Sequence, residues 1–448
     1  MTFAPYLGWG AALGLVLASS GARAEITLPG IFGDGMVLPR DTEIPIWGKA
    51  TPGASIQVRA PWGYSPMVSA DAEGQWRTAL PATAAGGPYE LHVTGDGEKV
   101  IRDVGVGVVF LAVGQSNMAK TLEPVAGQVD VPNWQADVAQ SADPLLRFAR
   151  VPRGQSERPL MDVNVRWSAA QPNTVGPVSA VAYYFGRRLR ESLKVPVGVI
   201  VAARGATLLD EWRPLAMNNH FNAMVAPLTG FRLSGVLLYQ GESDAARPEG
   251  YGDRLKGFAR EYRQAFGDPN LWIGLVQIAP HAYRGARRGN APLIREAQRR
   301  MALEDARIGL VNPADLVDDV QDIHPPRKRE VGERLAQLFV AMLTPGSGGP
   351  FGPPLLLRAT FGEGEAQLEF RPGGPGLRLS PGEEGLFELS ADGKAWFPAE
   401  SRLVEGKVAL RSREVGAPKF ARYAWRDAFR PVLFGPDGSP ASSFTTVP

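Results

Sequence analysis

In the stretch FLAVGQSNMAK, residues 110 to 120, an apolar run breaks into a small polar corner made of Gly114, Gln115, Ser116 and Asn117. A serine hydroxyl attacks an ester when a base takes its proton, a third group orients that base, and N–H donors hold the oxyanion. The chain offers a candidate for each part. Of its four histidines, His92, His220, His281 and His324, only His324 lies in a polar corner beside a carboxylate, which makes it the best base. Asp322 stands two residues earlier. In an extended segment side chains at i and i+2 point the same way, so Asp322 is placed to orient the imidazole; the competing reading makes it the cap of the helix that follows. The oxyanion donors would be the Ser116 and Gly205 backbone N–H groups and the Gln240 side-chain amide. Glu242 reads either as a second acid or as a brace between loops.

These residues need a scaffold that gathers them. VGVVFLAV runs into Gly114-Gln115-Ser116-Asn117, VPVGVIVAA into Arg204-Gly205-Ala206-Thr207, and SGVLLY into Gln240-Gly241-Glu242-Ser243-Asp244, while IGLVNPADLV is followed by Asp322-Ile323-His324. The carboxyl ends of the strands of an open parallel sheet share one edge, and ligands bind there. Four corners distant in sequence would converge.

The texture of the chain divides it further. Residues 1–24 read as a signal peptide, with YLGWGAALGLVLASS too short to span a bilayer comfortably and ARA supplying small residues before a cut after Ala24. Residues 25–103 alternate in short runs broken by turn formers, as a β-sandwich does, and residues 104–343 alternate apolar strands with amphipathic helices, the pattern of a three-layer α/β domain. Val331, Leu335, Leu338 and Met342 form one helix face behind Pro325 and Pro326. A Pro/Gly linker is expected at 344–354 and a second all-β module at 355–448.

Composition narrows the chemistry. With 48 basic and 46 acidic residues scattered along 448, the formal charge of +2 gives no field suited to nucleic acid. The absence of cysteine excludes disulfides, thiolate metal sites and cysteine nucleophiles, and no cofactor is expected. No other segment approaches about 20 apolar residues, so no membrane span is expected in the mature chain, which would be periplasmic or extracellular. Met118 occupies the place of the second glycine of an α/β-hydrolase elbow, and Walker, dinucleotide and HExxH patterns are absent.

The motifs GQSNM, GAT…EW, YQGES and DIHPPRKREVGERLA resemble the sialate O-acetylesterase family of the SGNH-hydrolase superfamily, as do LPGIFGDGMVLPRDTEIPIWGKATPG and YAWRDAFRPVLFGPDGSPASSF on either side. The resemblance covers nearly the whole mature chain. It implies an exported carbohydrate esterase that removes O-acetyl groups from sugars, with an SGNH or flavodoxin-like catalytic domain, Ser116 as nucleophile and His324 as base. Two positions depart from the superfamily: the aspartate usually three residues before the histidine is Gln321 here, and the Gly-x-Asn oxyanion block is missing, so Gln240 stands in for its asparagine by inference. An acetylxylan or other polysaccharide deacetylase is the alternative within the enzymes, and a non-catalytic glycan-binding protein is the alternative outside them. His220 reads as a structural histidine and Arg284, Arg287 and Arg288 as a solvated loop. The ten tryptophans are dispersed and give no legible sugar platform.

Overall fold

The computed structural model describes residues 1–2, 25–215, 217–344, 351–362 and 364–447. The expected signal peptide and most of the expected linker lie outside these residues. Among the described residues, no helix is long and apolar enough to cross a membrane.

The strand Glu98–Gly114 organises the molecule. Its first half pairs antiparallel with Gly86–Thr94 and parallel with Val37–Pro39, in the amino-terminal β-region. From Val108 onward it pairs in parallel with Val197–Ala203, and from Phe110 with Gly235–Tyr239 on its other side. One continuous strand therefore crosses position 103, where sequence texture changes from one region to the next. Beyond these neighbours the sheet continues to Asp143–Arg150 and the antiparallel edge strand Trp167–Ala170 on one side, and to Ile273–Val276 and Ile308–Val311 on the other.

From Val104 to Gly114 the central strand is apolar without interruption because both of its faces are covered there. Val109, Leu111 and Val113 belong to one buried cluster, Val108, Phe110 and Ala112 to the other. The helices are α1 (Ser116–Ala119), α2 (Trp134–Ala139), α3 (Ala180–Leu193), α4 (Tyr251–Ala265), α5 (Ala291–Glu304) and α6 (Lys328–Leu343). On one face α3 and α6 close over the strand, with Phe110, Phe185 and Phe339 meeting edge to face at centroid distances of 4.8 to 5.8 Å. On the opposite face α4 and α5 contribute Leu255, Phe258 and Ile294. The fold is therefore a three-layer α/β domain, as expected. Helix α6 begins at Lys328, two residues beyond the proline pair, and buries Val331, Leu335 and Leu338 on the expected face.

The carboxy-terminal residues form antiparallel sheets around a third core. They dock on the α/β domain through polar contacts. The buried Arg295 of α5 donates from Nε to Ser443 Oγ at 3.0 Å, and Gln277 Nε2 donates to Ser442 Oγ at 2.8 Å.

Gly114 ends the central strand with φ +145°, and a Cβ built there would fall 2.1 Å from the Tyr239 carbonyl oxygen. Backbone can come this close only where no side chain intervenes. Gly114→Ala is expected to lower stability by more than about 3 kcal/mol through displacement of the two strand ends. A thermal melt within a degree or two of the parent would contradict that close approach.

Candidate active site

Ser116 is the first residue of α1, directly beyond the end of the central strand, and is half-buried. A helix's first N–H groups lie outside its own hydrogen-bond ladder, so the Ser116 N–H is free to point at a ligand. Gly205 follows the neighbouring Val197–Ala203 strand. A Cβ on Gly205 would sit 3.3 Å from Ser116 Cβ, so the missing side chain keeps the space beside the hydroxyl open. Among the described residues no protein acceptor takes the Gly205 N–H.

The loop carrying His324 is tied to the loop carrying Ser116 by one buried side chain. Asn117 Nδ2 donates to the Ile323 carbonyl at 3.0 Å and to Glu242, while Asn117 Oδ1 accepts from Lys328 Nζ at 2.6 Å. The bond to Ile323 joins the residue after Ser116 to the residue before His324, positions more than 200 apart in sequence. Glu242, 3% exposed, also accepts from Gln115 Nε2. Its contacts are those of a brace: burial pushes its carboxyl up, and the Asn117 and Gln115 amides together with Lys328 pull it back.

Asp322 turns its Oδ1 to the His324 backbone N–H at 2.7 Å, closing an Asx turn that fixes the loop. Its Oδ2 is buried with no hydrogen-bond partner among the described residues. Burial lowers the pKa of the half-buried His324, and the nearby Lys328 charge lowers it further, opposed by the Asp322 carboxylate. The net direction keeps the imidazole neutral, the form that accepts a proton.

The Gln240 amide does not face open space. Gln240 is fully buried, and its Nε2 donates to Asp244 Oδ2 and, at 3.4 Å, to the Thr207 carbonyl. The reason is the adjacent carboxylate: Asp244, 2% exposed, needs donors, and it takes them from Gln240, the Leu209 N–H and Arg254. The expected third oxyanion donor is thus committed to holding a buried acid.

Other groups around the site were not evident in the sequence. His281, past the Ile273–Val276 strand, feels the Asp322 charge, has its pKa lowered chiefly by burial, and has a buried Nδ1 with no partner among the described residues. Lys328 is 1% exposed, with Nζ 5.4 Å from the centre of the Tyr239 ring. Its place four residues after His324, one helical turn, is a signal that spacing offers once that segment is known to start a helix. His220 packs on Trp212 and meets the Gly154 carbonyl at 2.6 Å. In the solvated loop, Arg284 donates to Gln321 at 3.2 Å.

Beside α1 opens a cleft of about 500 Å³, lined by Ala119, Thr121, Ser179, Ala203, Arg150 and Arg153. Both arginines are exposed, and neither joins an ion pair among the described residues. A half-exposed hydroxyl, a neutral imidazole and N–H groups gathered at one sheet edge are groups of the kind that acyl transfer uses.

Burial, with the Lys120 charge second, drives Lys328 down from 10.5 to about 7. Between those values the unfolded chain holds a proton that the folded chain gives up, so stability rises with pH across that interval. Relative to Lys328→Met, the parent should gain up to about 1.4 kcal/mol per pH unit from neutral pH to about pH 9. Urea unfolding of both proteins at the two ends of this range measures it, and a pH-independent difference would show that the buried amine does not titrate there.

The family model for carbohydrate esterase, sialic acid-specific acetylesterase, matches residues 106–341. The chain is 34% identical to a carbohydrate acetylesterase from Xanthomonas citri whose crystal structure superposes with a TM-score of 0.85, over 94% of this chain and 99% of that one. It is 27% identical over 344 residues to the sialate O-acetylesterase of Homo sapiens, covering 65% of each chain, and 24% identical over 326 residues to that of Mus musculus, covering 56% of this chain and 59% of the mouse protein. The match thus spans somewhat less than two thirds of the mammalian proteins' length.

Proposed function

The chain belongs to the carbohydrate-esterase family of sialic acid-specific acetylesterases, and from that premise we propose that it hydrolyses O-acetyl esters of sugars through an acyl-enzyme on Ser116. The observation that carries the reading is the Asn117 to Ile323 hydrogen bond, which ties the loop of a half-exposed serine to the loop of a neutral histidine. In the reaction Ser116 Oγ attacks the acetyl carbonyl carbon as His324 takes its proton. The Ser116 and Gly205 N–H groups receive the oxyanion, and Gln240 supports that corner from behind. Collapse breaks the bond to the sugar oxygen, which leaves with the proton from His324. Water, deprotonated by His324, then releases acetate and restores the hydroxyl. Asp322, with a free carboxylate oxygen beside the loop, is the orienting acid of this scheme.

The unpaired Arg150 and Arg153 in the adjoining cleft favour an acidic acetylated sugar such as a sialate over a neutral acetylxylan, because a guanidinium without a protein partner is available to a substrate carboxylate. Acetate release from acidic and neutral acetylated sugars tests this choice, and faster turnover of the neutral set would reverse it. We also infer that the protein acts outside the cytoplasm. Exported material should begin at or near Glu25 by intact mass, and a chain still carrying Met1 would refute the cleavage.

Ser116→Ala is expected to lower kcat on a small chromogenic acetate by roughly 10³-fold or more with an unchanged melt; a tenth of parental activity surviving would remove Ser116 from the role, leaving a glycan-binding protein as the reading. Asp322→Asn keeps an oxygen for the His324 N–H and removes the charge. It should lower kcat by roughly 10³ to 10⁴ with KM little changed. Glu242→Gln sets an amide against the Gln115 and Asn117 amides and should reduce stability as well as rate. Should Asp322→Asn be silent while Glu242→Gln folds normally and loses kcat, the acid is Glu242.

A further inference from the structure

Two tryptophans that are 29 residues apart in sequence line one groove in space. Trp396 and Trp425, from connecting segments of the carboxy-terminal β module, face Leu293 and Ala297 of α5 and Asp253 of α4 across a cavity of about 640 Å³. The Arg422 guanidinium lies 4.3 Å from the centre of the Trp396 ring, and Glu388 holds Arg422 by two bonds of 2.7 and 2.8 Å, so that indole is backed by a fixed support. Trp425 has no ring or cation partner among the described residues. Leu293 is 46% exposed, a large apolar side chain left uncovered on the groove floor.

The charges of the groove narrow what it takes. Each of its three cations is already paired: Arg422 with Glu388, Lys256 with Glu304 at 2.7 Å, and Arg300 with Glu296 at 2.7 Å. Glu249 and Asp253 also line the groove and join no ion pair among the described residues. The groove therefore offers indole faces and free acceptors with no free positive charge. An anion finds no partner, and a purely apolar ligand would strip water from the carboxylates without replacing it. A neutral saccharide satisfies both, laying its C–H face on the indoles and donating its hydroxyls to the acids. The cleft beside α1 has the opposite character, with free guanidiniums, and shares no lining residue with this groove.

We propose that the groove between the carboxy-terminal β module and helices α4 and α5 is a second carbohydrate site, which binds a neutral saccharide and holds the protein on a glycan apart from the ester. It rests on the esterase reading only in taking sugars as the ligand class. The test is calorimetric titration of the whole chain carrying Ser116→Ala with neutral xylo-, cello- and manno-oligosaccharides and with free sialic acid. Saturable binding of at least one neutral series is expected, weakened about tenfold or more by Trp396→Ala and by Trp425→Ala, with unchanged melts. In the parent background the same two variants should hydrolyse a chromogenic acetate at the parental rate. If a tryptophan variant melts lower, Asp253→Asn and Glu249→Gln replace it, and they too should weaken binding. Absence of saturable binding, binding indifferent to all four substitutions, or tighter binding of sialic acid at this groove would overturn the proposal. Because the titration reads no turnover, a parent protein unable to cleave acetate would defeat the esterase reading and leave this result standing on its own.

Discussion

A buried carboxylate dictates the arrangement at the carboxyl edge of the sheet. Glu242 is almost wholly out of water, and a carboxylate there must be supplied with donors or lose its charge. Gln115 and Asn117 supply them, which fixes the residues on both sides of Ser116. The second amide hydrogen of Asn117 then goes to the Ile323 carbonyl and its oxygen to Lys328, so the demand of one acid is passed on to the loop of His324 and to the start of α6. Removing any member would leave another polar group buried and unpaired, which is why the network holds one geometry.

The backbone makes this network accessible. The central strand is long enough to serve the amino-terminal sheet with one half and the parallel sheet with the other, and it ends at a glycine packed directly on the Tyr239 carbonyl. The absence of a side chain at Gly205 keeps the far side of Ser116 clear. Steric exclusion at two positions thus shapes the space that the polar network lines.

The two clefts differ in electrostatic character although the chain as a whole is nearly neutral. Arg150 and Arg153 join no ion pair among the described residues and line the same cleft, so that cleft is a place where an anion is welcome. At the tryptophan groove the pairing runs the other way, with cations satisfied and two acids free. Net charge says nothing about either surface; the local pairing does.

The layered α/β core, the helix face of Val331, Leu335 and Leu338, and the convergence of the Ser116, Gly205, Glu242 and His324 corners were all legible in the sequence. Apolar runs that end in polar residues mark strand ends, and in a parallel sheet those ends share one edge whatever the distance along the chain. The partners chosen at that edge were not legible. That Asn117 bonds Ile323 and Lys328, that the Gln240 amide turns to Asp244 instead of to open space, that Lys328 and His281 approach Asp322, and that Trp396 and Trp425 line one groove each follow from how separate segments pack. Periodicity records which face of an element is buried; which buried donor meets which buried acceptor is settled only when the elements come together and every polar group removed from water has to find a partner.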